Sequence, residues 1–155
     1  MLAALALALA LAVPTYGPVP QASASPPTVL RVPTAANVAM IVNSGSTNTA
    51  GYQLTVNEDG TAALVQGDVT LKKQIPALLV RRFFDDLRAA GPVDALQAGA
   101  CMKSASFGTT TRILYRGKTS PDVSCPSPSA QTRALAVDAH SLADAAGVSI
   151  LPRAH

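Results

Sequence analysis

Cys101 and Cys125 bracket the stretch CMKSASFGTTTRILYRGKTSPDVSC and are the only two cysteines in the chain. An even cysteine count in an exported chain is normally oxidised. A bond across this span would contribute about 3–4 kcal/mol in the loop-entropy model. A small domain with three Phe, two Tyr and no Trp has use for that help. The bond would tie the segment after one helix to the start of the next, across a β-hairpin. The pair therefore reads as a structural disulfide. A catalytic thiol would need a base, and His140 is the only sensible candidate. Redox pairs normally stand much closer in sequence.

Export is itself legible. MLAALALALALAV is an unbroken apolar run, and Pro14, Gly17, Pro18 and Pro20 stop it. The small-x-small triplet Ala22-Ser23-Ala24 follows. This is the pattern of a secretory signal peptide over 1–24, although no Lys or Arg precedes the run. The run is shorter than the roughly 20 residues a membrane span needs, so no transmembrane anchor is expected after cleavage. Residues 25–34 read as a flexible Pro/Ser-rich lead-in, 35–151 as one domain and 152–155 as a tail. The expected location is secreted or periplasmic.

The net charge of +3 comes from 12 Lys/Arg and 9 Asp/Glu. The two signs are interleaved, and no Arg/Lys stripe with interspersed aromatics occurs. A nucleic-acid partner is therefore not expected.

Within the domain, NVAMIV reads as a strand and NSGSTNTAG as a loop. YQLTVNEDGTAALVQG reads as a hairpin turning at Asp59-Gly60. IPALLVRRFFDDLRAAGP is a helix with Pro76 at its first turn and Gly91 just past its end. Leu79, Val80, Phe83, Phe84 and Leu87 form its apolar stripe. Arg81 with Asp85, and Arg82 with Asp86, stand four apart and could pair on the outer side. VDALQAG offers one further turn, and TTTRILYRGKTSPDV a second hairpin about Arg116-Gly117. Pro121 makes its returning strand short or an edge. PSPSAQTRALAVDAHSLADAAG is a second helix, capped by Ser127 and ended by Gly147. Its expected core set is Ala134, Leu135, Val137, Ala139 and Leu142. The order β-ββ-α-ββ-α predicts an α+β fold: an antiparallel sheet of four to five strands with two helices on one face.

Catalytic motifs are missing. There is no H-x-x-x-H, H-E-x-x-H or C-x-x-C for zinc, and no G-x-S-x-G or S-x-x-K nucleophile motif. GKTS mimics the end of a phosphate loop, but Arg112 stands where the earlier Gly is needed, and Pro121 blocks a following helix. Asp59, Asp68, Asp85, Asp86, Asp94 and Asp122 have simple turn, cap or surface readings. No cofactor or metal is expected.

NSGSTNTAGYQLTVNEDG and CMKSASFGTTTRILYRGKTSPDVSC, with the helix between them, resemble a small secreted or periplasmic bacterial domain of unknown function. That pattern runs strand, Gly-rich loop, Tyr-started strand, D-G turn, strand, helix, hairpin, and the likeness covers 38–142. Related families carry GC-x-G-x-CP-x-Y where this chain has residues 44–52 without cysteines. The resemblance implies an envelope or extracellular location and an α+β fold, and it carries over no catalytic residue.

The leading expectation is a non-enzymatic binding or structural module of the cell envelope, whose partner is a protein or envelope component. Candidate contact residues are Ser44, Ser46 and Asn48 in one loop, and Lys103 and Phe107 in another. A protein inhibitor of an extracellular hydrolase is the alternative, and a small secreted enzyme using His140 a further one. Non-reducing peptide mapping of the exported protein should recover Cys101 and Cys125 in one linked pair of peptides and an N-terminus at Ser25. Free thiols at both positions would remove the argument for an oxidising compartment.

Overall fold

Alternation of apolar and polar residues builds the sheet. In β1 (Val38–Asn43), Ala39 and Ile41 are buried; in β2 (Tyr52–Asn57), Leu54 and Val56; in β3 (Thr61–Gln66), Ala62 and Leu64. β4 (Val69–Gln74) follows, then α1 (Ala77–Ala90), a single 3-10 turn at Val93–Ala95, β5 (Thr111–Tyr115), β6 (Lys118–Thr119) and α2 (Ala130–Ala146). The computed structural model describes residues 31–148. The expected signal peptide, residues 25–30 of the lead-in, and the chain beyond Val148 lie outside the described residues.

The six strands lie in the order β4-β3-β2-β1-β5-β6, every neighbouring pair antiparallel. The α+β class and antiparallel sheet are as expected, with one strand more. That strand is β4, which among the described residues pairs only with β3 and has all six residues exposed. An edge strand of this kind lacks the apolar face that marks a strand in sequence, and Lys72 and Lys73 suit an edge open to solvent.

Register brings the apolar positions onto one face. Ala39 stands opposite Val56 on one side and Tyr115 on the other, and Ile41 opposite Leu54 and Ile113. α1 lays Val80, Phe83, Phe84 and Leu87 on this face, and α2 lays Leu135, Ala139, Leu142 and Ala146. Each large apolar side chain buried this way is worth about 1.5–3 kcal/mol. Phe84 packs edge-on against both Phe83 and Tyr115, at 5.6 Å and 6.2 Å between ring centres. At the β5–β6 turn, Arg116 and Gly117 both take positive φ, 49° and 74°, the backbone of a two-residue turn that follows strand twist.

Three local expectations are corrected where the helices meet. Ser129, not Ser127, caps α2: its hydroxyl accepts from the Thr132 N–H. Ser127 lies before the helix and donates to the Gln97 carbonyl at 2.8 Å. Val137 is 59% exposed, whereas Asp138 is only 2% exposed and faces α1. Arg82 consequently turns from Asp86 to Asp138, its Nε 2.5 Å from Oδ1. Asp85 pairs instead with Arg88, which also reaches Glu58. A buried carboxylate needs a partner more than an exposed one does, and this decides where the arginine goes.

Asp138 Oδ2 accepts no hydrogen bond among the described residues. Burial, and then the neighbouring Asp86 carboxyl, push Asp138 up to about 6 against the pull of Arg82. A proton on Asp138 removes the buried charge and supplies a donor toward Asp86. Between pH about 4 and about 6 the folded chain therefore binds more protons than the unfolded one. This contribution to stability is full below about 4 and is lost as the pH rises through about 6. Asp138→Asn should remove that decline, raising stability at pH 7 by about 1–3 kcal/mol. Denaturant unfolding of both proteins from pH 4 to 7 measures it, and parallel curves would place the proton elsewhere.

Candidate functional site

Residues 99–108 form neither helix nor strand, yet nearly every one of them is tied down. Cys101 is bonded to Cys125, with 5.5 Å between their Cα atoms. The bond joins the chain after the 3-10 turn to the chain before α2, across the β5–β6 hairpin, as the spacing predicted. Both sulfurs are consumed, so neither cysteine offers His140 a thiol. Gly99 lies so close to the chain beyond Cys125 that a Cβ there would fall 2.1 Å from the Pro126 carbonyl oxygen. The Lys103 ammonium donates to the Thr109 carbonyl and to Ser124 Oγ, both at 2.6 Å, and pairs with Asp122. The Ser104 carbonyl accepts from the Gly108 N–H at 2.7 Å, and the Ser104 hydroxyl from the Phe107 N–H at 3.1 Å. A side chain at Gly108 would collide with this turn, its Cβ 2.5 Å from the Ser104 oxygen.

The loop leaving β1 closes onto the same segment. Ser46 Oγ donates to the Ser106 carbonyl at 2.8 Å, Thr47 Oγ1 to the Ala105 carbonyl at 3.1 Å, and the Asn48 N–H to Ser106 at 3.2 Å. Ser44 bonds Thr110 in both directions: its N–H donates to the Thr110 carbonyl, and its hydroxyl accepts from the Thr110 N–H. The two loops named in the sequence reading, some 60 residues apart, are therefore one platform. Four of the five candidate residues form its frame: Ser44, Ser46 and Asn48 join the loops, and Lys103 turns its charge inward. Of the five, Phe107 alone points out, 71% exposed, and Met102 in the same loop is fully exposed.

Sequence reasoning missed Asp122 and Ser124, the partners that hold Lys103. Burial alone would raise Asp122, but the hydrogen bonds from Lys103, from the Ser124 hydroxyl and N–H, and from the Thr111 N–H outweigh it and hold its pKa at about 2. The available signal was D-x-S just ahead of Cys125, which favours a side-chain-to-backbone turn.

Behind the platform lies a groove of about 400 Å³ between the end of the sheet and α2. Asn43, Tyr52, Thr111, Ser124, His140 and Asp144 line it. Its polar walls largely satisfy one another. Asn43 donates to the Thr109 and Thr111 hydroxyls at 3.2 and 3.0 Å and accepts from the Gly45 N–H at 2.9 Å. Burial, and then the Asp144 charge, push Tyr52 up to about 12, so it stays a neutral phenol. His140 stands on the exposed rim, its Nε2 3.4 Å from Asp144 Oδ2. Among the described residues no three His, Cys, Asp or Glu side chains converge as metal ligands would, and no helix is long and apolar enough to cross a membrane.

No protein-family model, curated protein or solved structure matches this chain.

Lys103→Met should leave the half-buried Asp122 without its counter-charge and lower stability at pH 7 by about 1–3 kcal/mol, between the values for exposed and buried pairs. Asp122 acts oppositely to Asp138: its pKa is depressed, so its contribution is present above about 4 and lost as the pH falls toward about 2. The variant should lose stability less steeply over that acid range. Equal urea midpoints for the two proteins at pH 7 would show that Lys103 anchors nothing.

Proposed function

We propose that this protein is a non-enzymatic binding module working in the cell envelope or outside the cell, and that the joined loops are its contact surface. The observation that carries this reading is the union of the 44–51 and 101–108 loops into one hydrogen-bonded platform around two exposed apolar side chains. Irregular segments anchored on a rigid sheet are where proteins place recognition. A segment already fixed has little freedom left to lose on binding. The disulfide suits an oxidising compartment, in line with the secretory pattern at the N-terminus. A cell-envelope component or another exported protein is the partner this reading calls for.

Site-resolved cross-linking tests it. A photo-reactive residue placed at position 107 should give a discrete adduct in cells that export the protein. The same residue at position 78, where Leu78 is exposed on α1, should give none. Equal labelling at both positions, or none at 107, would count against the platform as the contact surface.

A further inference from the structure

Met102 is 102% exposed, and the residues on either side of it are among the most firmly held in the loop. Cys101 is covalently tied to Cys125, and Lys103 is tied to Thr109, Asp122 and Ser124. We propose that the 99–108 loop is an inhibitory loop for a secreted protease with an apolar primary pocket, and that Met102 is the side chain this pocket takes. The proposal rests on the reading of the platform as a binding surface and names its partner.

A protease needs a substrate segment that can distort during reaction and separate once cut. Here a break between Met102 and Lys103 would leave both new ends attached to the body, one through the disulfide and the other through the Lys103 ammonium. The segment can therefore occupy a protease cleft without leaving it. Protease–inhibitor complexes combine such fixed backbones with interfaces of ordinary size. Their energy concentrates in a few side chains buried in pockets. Met102 suits that role, being unbranched and adaptable to the shape of an apolar pocket. The pocket is apolar because the one cation beside Met102 is paired with Asp122 and faces inward. Phe107, on the adjoining turn, adds a second apolar contact beyond the pocket.

The purified, disulfide-bonded protein is titrated against chymotrypsin and subtilisin with a chromogenic peptide substrate, and against trypsin as a charge-selective control. At least one of the two apolar-pocket enzymes should be inhibited stoichiometrically while the protein stays intact, and trypsin should not. Met102→Asp should weaken inhibition about 100-fold with an unchanged thermal melt, because the side chain touches nothing in the fold. Met102→Lys should move inhibition to trypsin, and Leu78→Asp should inhibit as the parent does. Absence of inhibition of both chymotrypsin and subtilisin overturns the proposal. So does rapid cutting after Met102 without inhibition, or undiminished inhibition by Met102→Asp. A cross-linked adduct at position 107 would still stand in any of those cases, so the two readings fail separately.

Discussion

The pairing of β1 with β5 is the constraint on which the rest of the molecule depends. β1 is the strand where two hairpin systems meet: β2, β3 and β4 extend the sheet to one side, and β5 and β6 to the other. The β1–β5 pair is also a neighbouring pair in the sheet that no short turn joins, since all of α1 and the cysteine-led loop intervene. Its register must therefore come from side chains, from Ile41 opposite Ile113 and Ala39 opposite Tyr115. A slip of one residue would turn Ile113 and Tyr115 out of the core and destroy the face on which Phe84 packs. The same register sets Asn43 opposite Thr111. Antiparallel pairing thus places the exit of β1 beside the entry of β5, and the two loops meet because the two strands do.

Between Ala95 and Thr111 the chain runs without a helix or strand. A loop of that length in a small domain is uncommon unless something fixes it or it serves a function. Here it is fixed by a graded set of interactions. The disulfide holds one point covalently, the Lys103–Asp122 pair holds the next through a partly buried charge, and carbonyl and hydroxyl bonds from residues 44–48 hold the rest. Each bond alone is modest. Their joint effect is to leave the backbone one arrangement while two large apolar side chains remain in water.

The parts of this structure that were legible in sequence are those governed by local periodicity. The stripe of Val80, Phe83, Phe84 and Leu87, the alternation in β2, the turn at Arg116-Gly117 and the cysteine pair all carry their signal within a few residues. β4 was not seen because its alternation is short, Val69 and Leu71 before the Lys72-Lys73 pair interrupts it, although Gly67-Asp68 marks its turn. Val137 faces solvent and Asp138 is buried in its place because the second helix meets the first along a line that periodicity alone cannot fix by one residue. Arg82 then followed Asp138 rather than Asp86. Ser44, Ser46, Asn48, Lys103 and Phe107 were recognisable as loop residues, but their division into frame and face depends on the β1–β5 register, a long-range fact with no local trace.

Two surfaces compete as the contact site of the proposed binding module, and they differ in what binding would have to displace. In the groove, the Asn43 amide already donates to the Thr109 and Thr111 hydroxyls, and the Ser124 hydroxyl to the Thr109 carbonyl and Asp122. A ligand there must break as many good contacts as it makes. On the platform the Ser44, Ser46, Thr47 and Lys103 side chains are already hydrogen-bonded, while Met102 and Phe107 stand exposed. Covering them breaks no internal contact and removes apolar surface from water, so the driving force is not offset by a loss within the protein. The polar network beneath them had already fixed the segment that presents them, which lowers the entropic cost of docking. That asymmetry favours the platform as the recognition surface and a partner that brings an apolar pocket to it.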